Sequence, residues 1–251
     1  MLKIKEIKAK SILNKSKIFD YCLNPYTGCQ INCTYCYARL FMRRYSGHKE
    51  PWGEFVDVKV NAPELLKKQL EKAKKGIVWV SSVCDPYQPL ENKYTLTRQC
   101  LKELADKNFP VTVQTKSNLV LRDLDLFLQF KEIEVGFTIT TENEDVAKLF
   151  EPKASSIKER IKTLDTIHSK GIKTFAFLGP LLPGNPEKLI EQLEGKIDKV
   201  YIDKMNYLST IRDFYYKKNL KSATTDRFFH EYKERLLKEL KKRKMRFEVL
   251  F

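Results

Sequence analysis

Short apolar runs alternate with longer amphipathic stretches along this chain of 251 residues. Runs rich in β-branched and aromatic residues predict strands. They lie at residues 18–23, 77–81, 111–115, 135–139, 172–178, 199–203 and 246–250. Apolar positions at spacings of three and four residues predict helices. These lie at residues 63–75, 97–108, 120–131, 155–170, 186–193 and 226–244.

The order of these elements predicts an α/β fold. Strands and helices alternate, and the strand at residues 77–81 is almost wholly apolar, as a parallel sheet covered on both faces requires. About six strand–helix units fall short of the eight in a closed TIM barrel. A partial barrel and an open doubly wound sheet are therefore both candidates. In either fold, ligands bind at the carboxyl ends of the strands.

Composition narrows the class of protein. Apolar residues make up 42% of the chain and charged residues 31%, which is typical of a globular protein. No stretch approaches the roughly 20 apolar residues of a membrane-spanning helix, and the N-terminus lacks the apolar core of a secretory signal. We therefore expect a cytoplasmic protein that does not bind membranes. Its six cysteines are then reduced, and suited to metal binding or chemistry.

The net charge of +15 is unevenly distributed. Residues 1–17 carry +5 and residues 212–246 carry +8, whereas residues 18–211 carry only +3. We therefore expect a basic N-terminal segment at residues 1–17 and a nearly neutral catalytic barrel at residues 18–211. Residues 212–251 form a C-terminal segment, in which a basic amphipathic helix and a short strand pack on the barrel.

The basic C-terminal helix allows two interpretations. Its apolar positions predict packing against the barrel with lysines on the solvent face, and a high content of Lys and Glu also fits a thermophilic protein. Alternatively, its basic residues contact the phosphates of DNA or RNA without reading sequence. These residues are Lys238, Lys241, Lys242, Arg243, Lys244 and Arg246.

Three cysteines follow the first predicted strand. Cys29, Cys33 and Cys36 have the spacing Cys-x3-Cys-x2-Cys, so their thiolates can face one point. Soft thiolates select iron–sulfur clusters, zinc or copper(I). Three ligands suit a 4Fe–4S cluster with one open iron, whereas structural zinc needs a fourth ligand. His48 is the nearest candidate for that ligand, at poor spacing. Purely structural cysteines are the remaining alternative.

This spacing, with the aromatic residue Tyr35 just before the third cysteine, resembles the motif of the radical S-adenosylmethionine (SAM) superfamily. The resemblance implies that Cys29, Cys33 and Cys36 hold a 4Fe–4S cluster whose open iron is chelated by SAM. An electron from a donor such as a flavodoxin or ferredoxin cleaves SAM, and the resulting 5′-deoxyadenosyl radical abstracts hydrogen from a substrate. The superfamily's partial (β/α)6 TIM-type barrel agrees with the number of strand–helix units.

Further segments resemble the spore photoproduct lyase-like branch of this superfamily, between about residues 24 and 185. They follow successive predicted strands. They read Ser-Ser-Val-Cys-Asp-Pro-Tyr-Gln-Pro at residues 81–89, Thr-Lys-Ser-Asn at 115–118, Gly-Pro at 179–180 and Pro-Gly at 183–184.

This resemblance implies SAM contacts after three of the strands. Lys116 pairs with the carboxylate of SAM, and Gly179 lets the backbone approach the adenine. Ser82 and Asp85 lie where the superfamily handles the amino end of SAM. Taken alone, these residues also fit a solvated lysine, a Gly-Pro turn and an aspartate that caps a turn.

Three further residues are expected near the cofactor. Thr138 matches a SAM-contacting serine of the lyase, although a β-branched strand residue also serves packing. Arg160 either reaches SAM or pairs with Glu151, as on a helix surface. Tyr35 either contacts the cofactor or, with Tyr37, shields the cluster from water.

Tyr37 and Cys84 are the candidate catalytic residues. Tyr37 directly follows the third cysteine and matches a tyrosine proposed to relay hydrogen in the lyase. The hydrogen-donor cysteine of the lyase corresponds to Ser82 here. Cys84 lies two residues later, on the same face of an extended segment, and is either a substitute donor or a small buried residue. This departure weakens any expectation of thymine-dimer repair.

Three functions therefore compete. The first is a radical SAM enzyme that repairs or modifies nucleic acid, with the basic ends as its docking surfaces. The second is a radical SAM enzyme that acts on a protein, peptide or small molecule. The third is a non-catalytic iron–sulfur or zinc-binding module.

Overall fold

The computed structural model describes residues 2–251, with side chains at all of them except residues 43 and 44. The chain divides into two compact units. The first unit comprises the residues up to Asn32 together with Cys36–Val135, and the second comprises Cys33–Tyr35 together with Gly136–Phe251. Each unit is built from strands that alternate with helices.

The elements of the described chain follow in chain order. The strands are Lys3–Ile7 (β1), Leu13–Lys15 (β2), Tyr21–Leu23 (β3), Tyr26–Thr27 (β4), Phe55–Lys59 (β5), Val78–Val80 (β6), Val111–Thr115 (β7), Ile133–Thr138 (β8), Lys173–Leu178 (β9), Lys199–Ile202 (β10) and Phe247–Val249 (β11). The α-helices are Ala38–Ser46 (α1), Ala62–Leu70 (α2), Glu91–Tyr94 (α3), Leu96–Asp106 (α4), Leu124–Phe127 (α5), Glu144–Phe150 (α6), Ile157–His168 (α7), Pro186–Leu193 (α8), Arg212–Lys217 (α9) and Asp226–Lys242 (α10). Short 3-10 helices lie at Asn118–Asp123, Leu208–Thr210 and Lys221–Thr224.

In the first unit, β2, β3, β6 and β7 form a sheet in that order. Strands β3, β6 and β7 are parallel, and β2 pairs with β3 in the antiparallel direction. The register aligns Leu23 with Val80 and Val80 with Val113, so the residues that follow these strands lie side by side. A smaller sheet, of order β1-β5-β4, carries the chain into Cys29.

In the second unit, the strand order is β8, β9, β10 and β11, and the last three strands are parallel. Helix α10 packs beside α8, where Arg235 Nη2 lies 2.5 Å from Glu187 Oε2. The apolar face of α10, which includes Leu236 and Leu240, is buried. This face is therefore occupied by packing within the unit, as the packing interpretation of the basic helix requires.

Two predicted helices differ in the structure. The helix predicted at residues 63–75 ends at Leu70, because no large apolar residue follows to hold another turn against the sheet. Residues 120–131 form part of a 3-10 helix and the four-residue α5 instead of one long helix. Asp123 is buried there and accepts hydrogen bonds from Arg98 and Arg122, so side-chain bonds fix this turn.

The basic N-terminal segment, of which residue 1 lies outside the described residues, contributes β1 and β2. Neither strand forms an apolar run, because both carry polar or charged residues. None of the helices in the described residues combines the length and apolarity that crossing a membrane requires.

Helix α7 begins with a capping box. The Ser156 hydroxyl accepts from the Glu159 N–H at 3.2 Å, and the Glu159 carboxylate accepts from the Ser156 N–H at 2.9 Å. These bonds satisfy amide groups that have no partner inside the helix.

We expect Ser156→Ala to lower the free energy of unfolding by about 1 kcal/mol, because it removes this cap. Ser169→Ala, at the exposed other end of the same helix, is the matched control and should change it by less than about 0.5 kcal/mol. Urea denaturation of both variants measures the difference. Equal losses would contradict a stabilising cap.

Candidate active site

In the first unit, residues 85–91 hold the chain around Cys29, and we name them the clamp segment. The Cys29 sulfur accepts a hydrogen bond from the backbone N–H of Asp85 at 3.3 Å. The Gln88 side chain is fully buried and bonds both neighbours of the cysteine. It accepts from the Gln30 N–H at 3.0 Å and donates to the Gly28 carbonyl at 3.3 Å. The backbone position of the cysteine is therefore fixed from both sides.

Two further buried side chains of the clamp segment anchor its surroundings. The Glu91 carboxylate accepts from the Tyr26 hydroxyl in β4 and from Arg122 Nη2, the latter at 2.7 Å. The Tyr87 hydroxyl donates to Asp123 at 3.0 Å. Because β4 leads directly into the cysteine motif, Glu91 fixes the approach to the motif as Gln88 fixes the motif itself.

Asp85 links the loop after β6 to the end of β7. Its Oδ1 accepts from the Thr115 hydroxyl at 2.7 Å and from the Tyr87 N–H at 2.9 Å, and its Oδ2 accepts from the Lys116 N–H at 2.8 Å. Both carboxylate oxygens thus bind the protein's own donors. Asp85 holds these two loops together, and its predicted contact with the amino end of SAM stays a prediction.

Asn24, directly after β3, organises the first residues of the same loop. Its Oδ1 accepts from the N–H groups of Ser82 and Val83, each at 2.9 Å, and its Nδ2 donates to the Ser82 hydroxyl at 3.0 Å. The Tyr37 hydroxyl donates to the Ser82 carbonyl. The predicted site residues Ser82 and Tyr37 are therefore brought together at the strand ends of the first unit.

Cys36 is close to several positive groups of this unit. Burial raises the pKa of its thiol, whereas the N–H groups of Ala38 and Arg39 and the ammonium of Lys116 act to lower that pKa. Burial is the larger effect, so the pKa stays raised, and these groups offset part of that rise in favour of the thiolate, which is the form that binds metal. Lys116 thus lies near one of the three motif cysteines, at the carboxyl end of β7.

In the second unit, a buried ion pair holds Tyr35. The Tyr35 hydroxyl donates to Glu151 Oε1, and Glu151 Oε2 lies 2.5 Å from Arg160 Nη1. The guanidinium, in a residue only 1% exposed, also donates to the carbonyls of Thr138 at 3.0 Å and Ser155 at 2.7 Å. The Glu151–Arg160 pair is therefore part of the interior and does not lie on a helix surface.

This pair sets the electrostatics around Cys33. Burial and the neighbouring Glu151 raise the pKa of Tyr35 well above its ordinary value. Burial opposes the charge on Arg160, but Glu151 and Cys33 stabilise it and raise its pKa. Removing either partner of a buried pair leaves an uncompensated charge, so Glu151 and Arg160 are needed together. Direct contacts of Arg160, Thr138 and Tyr35 with SAM stay predictions.

Packing accounts for both Gly179 and Cys84. A Cβ at Gly179 would lie 2.4 Å from the Phe177 ring, so a larger residue there would displace that ring whether or not a cofactor is bound. Cys84 packs against an apolar cluster that includes residues of β4 and β5, and burial raises the pKa of its thiol to about 12. Residues 82–84 form a bend instead of an extended strand, so alternation does not place residues 82 and 84 on one face. The predicted roles of Gly179 and Cys84 stay predictions.

The motif cysteines fit an iron–sulfur cluster by their chemistry. None of the three forms a disulfide bond, and each lies near an N–H group or a cation that stabilises a thiolate. Within residues 2–251, as far as they are described, no three His, Cys, Asp or Glu side chains are already gathered as ligands of a single ion. Both ring nitrogens of His48 face carboxylates, Glu50 at 3.0 Å and Asp57 at 2.9 Å. His48 is therefore engaged elsewhere and is not placed as a fourth ligand.

Asn24, Gln88 and Glu91 are absent from the residues predicted from the sequence. These side chains fix the backbone around the motif because they are buried. Residue type alone does not reveal that burial, because Asn, Gln and Glu are mostly exposed in proteins. The sequence does carry one signal of them. Three polar side chains and two prolines fall within the clamp segment, shortly after the buried strand β6, where a parallel sheet binds its ligands.

Comparisons with known proteins place the chain in context. The model of the Radical SAM superfamily matches residues 23–196. An uncharacterized protein of Methanocaldococcus jannaschii is 41% identical over 217 residues, which cover 85% of this chain and 81% of that protein. The Radical SAM Nalpha-GlyT isomerase of Pseudomonas phage M6 is 25% identical over 162 residues, which cover 64% of this chain but 33% of that enzyme.

Solved structures resemble this fold over almost its whole length. Spore photoproduct lyase complexed with dinucleoside spore photoproduct matches with a TM-score of 0.73 at 16% identity, over 99% of this chain and 82% of that one. Streptococcus suis SuiB bound to precursor peptide SuiA matches with a TM-score of 0.62 at 14% identity, over 92% of this chain and 48% of that one. Together with the family match, these findings confirm the predicted resemblance, the α/β partial-barrel fold, and the cofactors, a 4Fe–4S cluster and SAM.

We expect Gln88→Ala to lower the free energy of unfolding of the metal-free protein by about 1–3 kcal/mol, because buried backbone groups beside Cys29 lose their partners. The same variant, once loaded with iron, should release it to a chelator faster than the wild type does. Gln99→Ala, which removes an exposed glutamine of α4, is the matched control and should change neither property. If Gln88→Ala and Gln99→Ala had the same stability and released iron at the same rate, Gln88 would not hold Cys29 in place.

Proposed function

Because the chain belongs to the radical SAM superfamily, we propose that it is an enzyme that reductively cleaves SAM at a 4Fe–4S cluster held by Cys29, Cys33 and Cys36. When bound, the cluster and SAM supply a 5′-deoxyadenosyl radical that abstracts a hydrogen atom from the substrate. The observation that carries the proposal is the buried clamp on Cys29. Polar groups are costly to bury unless they are paired. Here the buried Gln88 side chain and the Asp85 N–H find their partners at Cys29 and its two neighbours, and so fix the position of this cysteine.

Lys116 is the residue we assign to the carboxylate of SAM. It lies at the carboxyl end of a parallel strand, and its ammonium is near Cys36. An ammonium and a carboxylate form a charge-assisted hydrogen bond, which is stronger than a neutral one. The remaining proposed cofactor contacts are Tyr35, Ser82, Asp85, Thr138, Arg160 and Gly179.

Tyr37 is the residue we propose for hydrogen relay. It directly follows a proposed cluster ligand, and its hydroxyl is held by the Ser82 carbonyl at the strand ends. Cys84 is the alternative donor, but its thiol lies in an apolar cluster. An electron donor such as a flavodoxin or ferredoxin completes the reaction.

Nucleic acid is the substrate class we propose, for repair or modification. The two terminal segments carry most of the net charge of +15, and a basic segment favours a polyanionic partner. Spore photoproduct lyase, whose fold is similar, has been solved with a dinucleoside. At the basic C-terminus, Lys241 and Lys244 are exposed, whereas Arg243 pairs with Glu194 and Glu239. The basic surface at the C-terminus therefore has fewer unpaired positive charges than the sequence of this segment implies.

We expect replacement of any one of Cys29, Cys33 and Cys36 by alanine to abolish cluster assembly, because three thiolates are the proposed ligands. Iron and acid-labile sulfide per chain, measured after anaerobic reconstitution, should fall to background. Cys22→Ala, at a cysteine of β3 outside the motif, should keep the wild-type content. A full cluster in any motif variant, or its loss in the control, would contradict this ligand set.

We expect Lys116→Ala to weaken SAM binding about 10- to 150-fold, the effect of losing one charge-assisted hydrogen bond. Lys131→Ala, at an exposed lysine of the same unit, should bind SAM as the wild type does. Equilibrium binding of SAM to the reconstituted proteins measures both affinities. An unchanged affinity in Lys116→Ala would remove Lys116 from the site.

A further inference from the structure

Helix α1 carries a row of exposed aromatic side chains. Tyr37, which caps the helix, Phe41 and Tyr45 are spaced four residues apart, so they lie along one helix face. Tyr37 is 38% exposed, Phe41 43% and Tyr45 78%. Exposed aromatic rings that share one helix face form a candidate interaction surface. We name these three residues the aromatic row.

The sequence that carries this row has charge of a single sign. From Ala38 to Lys49 the sequence contains three arginines and a lysine but neither aspartate nor glutamate. Elsewhere in the chain most basic helices carry acidic residues as well, as the sequence of α10 does. An acid-free, arginine-rich helix with exposed rings suits a partner that offers both negative charge and flat apolar faces.

The row also begins at the proposed active site. Tyr37 directly follows Cys36, and its hydroxyl bonds the Ser82 carbonyl after β6. A ligand that lies along the helix from Tyr45 towards Tyr37 therefore reaches residues proposed to take part in the chemistry. The aromatic row and the proposed active site therefore share Tyr37.

We propose that the aromatic row is a stacking platform for single-stranded nucleic acid, which leads an unpaired base to the active site. The inference rests on the proposed function, because it specifies the substrate class of that same site. Aromatic side chains stack on bases of any identity, and basic residues follow the phosphate backbone. In a duplex the base faces are covered by their neighbours, so exposed rings favour unpaired strands.

The test measures binding of the full-length, reconstituted protein to a labelled oligonucleotide of about 12 nucleotides, a length within the site sizes of single-strand binders. Fluorescence anisotropy compares this strand with the same sequence as a duplex. Phe41→Ala and Tyr45→Ala should each weaken single-strand binding about 5- to 150-fold, the range for loss of one stacked base. Tyr45→Phe, which keeps the ring, should retain wild-type affinity.

Tyr216→Ala is the matched control, because Tyr216, on α9 in the other unit, is as exposed as Phe41, at 43%. It should bind the oligonucleotide as the wild type does. Circular dichroism and unfolding midpoints establish that the variants are folded. The proposal is overturned if the wild type prefers the duplex, if neither alanine variant loses affinity, or if Tyr216→Ala loses as much.

A second copy of the chain is the competing occupant of this surface. Sedimentation of the wild type and of Tyr45→Ala decides between nucleic acid and a second copy as the occupant. A wild-type dimer that becomes a monomer in Tyr45→Ala would overturn the proposal. Cleavage of SAM by the wild type without oligonucleotide is measured separately. Its absence would refute the proposed function, whereas its presence without single-strand binding would refute only the platform.

Discussion

Buried polar groups of the clamp segment have to find hydrogen-bond partners inside the protein, and several find them in the backbone around Cys29. The Gln88 amide bonds the residues before and after this cysteine, and the Asp85 N–H bonds its sulfur. Unpaired, such groups would cost about 1–3 kcal/mol each. The clamp segment and the cysteine motif therefore stabilise each other, and a displacement of either one leaves buried groups unsatisfied in both.

The same constraint acts in the second unit through charge. Arg160 is almost completely buried, and its guanidinium is compensated by Glu151 and by backbone carbonyls. Glu151 in turn accepts the Tyr35 hydroxyl, two residues after Cys33. A buried pair of this kind contributes little net stability but tolerates no missing partner. Its value lies in fixing the position of the chain beside a cysteine.

The sequence predicts the fold better than it predicts the buried side chains that surround the motif cysteines. The six central strands are predictable because an unbroken apolar run such as Val78–Val80 is typical of a strand buried on both faces. Strands β1, β2, β4 and β5 escape prediction. Strands β2 and β4 have only two or three residues, and charged residues interrupt the apolar positions of β1 and β5. The cysteine motif is recognisable by its distinctive spacing, but Asn24 and Gln88 depend on a burial that only the folded chain creates. Arg160 is predicted only in part. Its pairing with Glu151 is one of the alternatives that the sequence offers, but the burial of the pair is not.

The central claim is that the clamped cysteine motif serves radical SAM chemistry. Its most direct test is the amount of 5′-deoxyadenosine formed when the anaerobically reconstituted protein is given SAM and a chemical reductant. The account predicts 5′-deoxyadenosine and methionine from the wild type, and neither product from a protein in which Cys29 is replaced by alanine. A colourless, zinc-loaded protein, or an iron-loaded protein that leaves SAM intact, would contradict it.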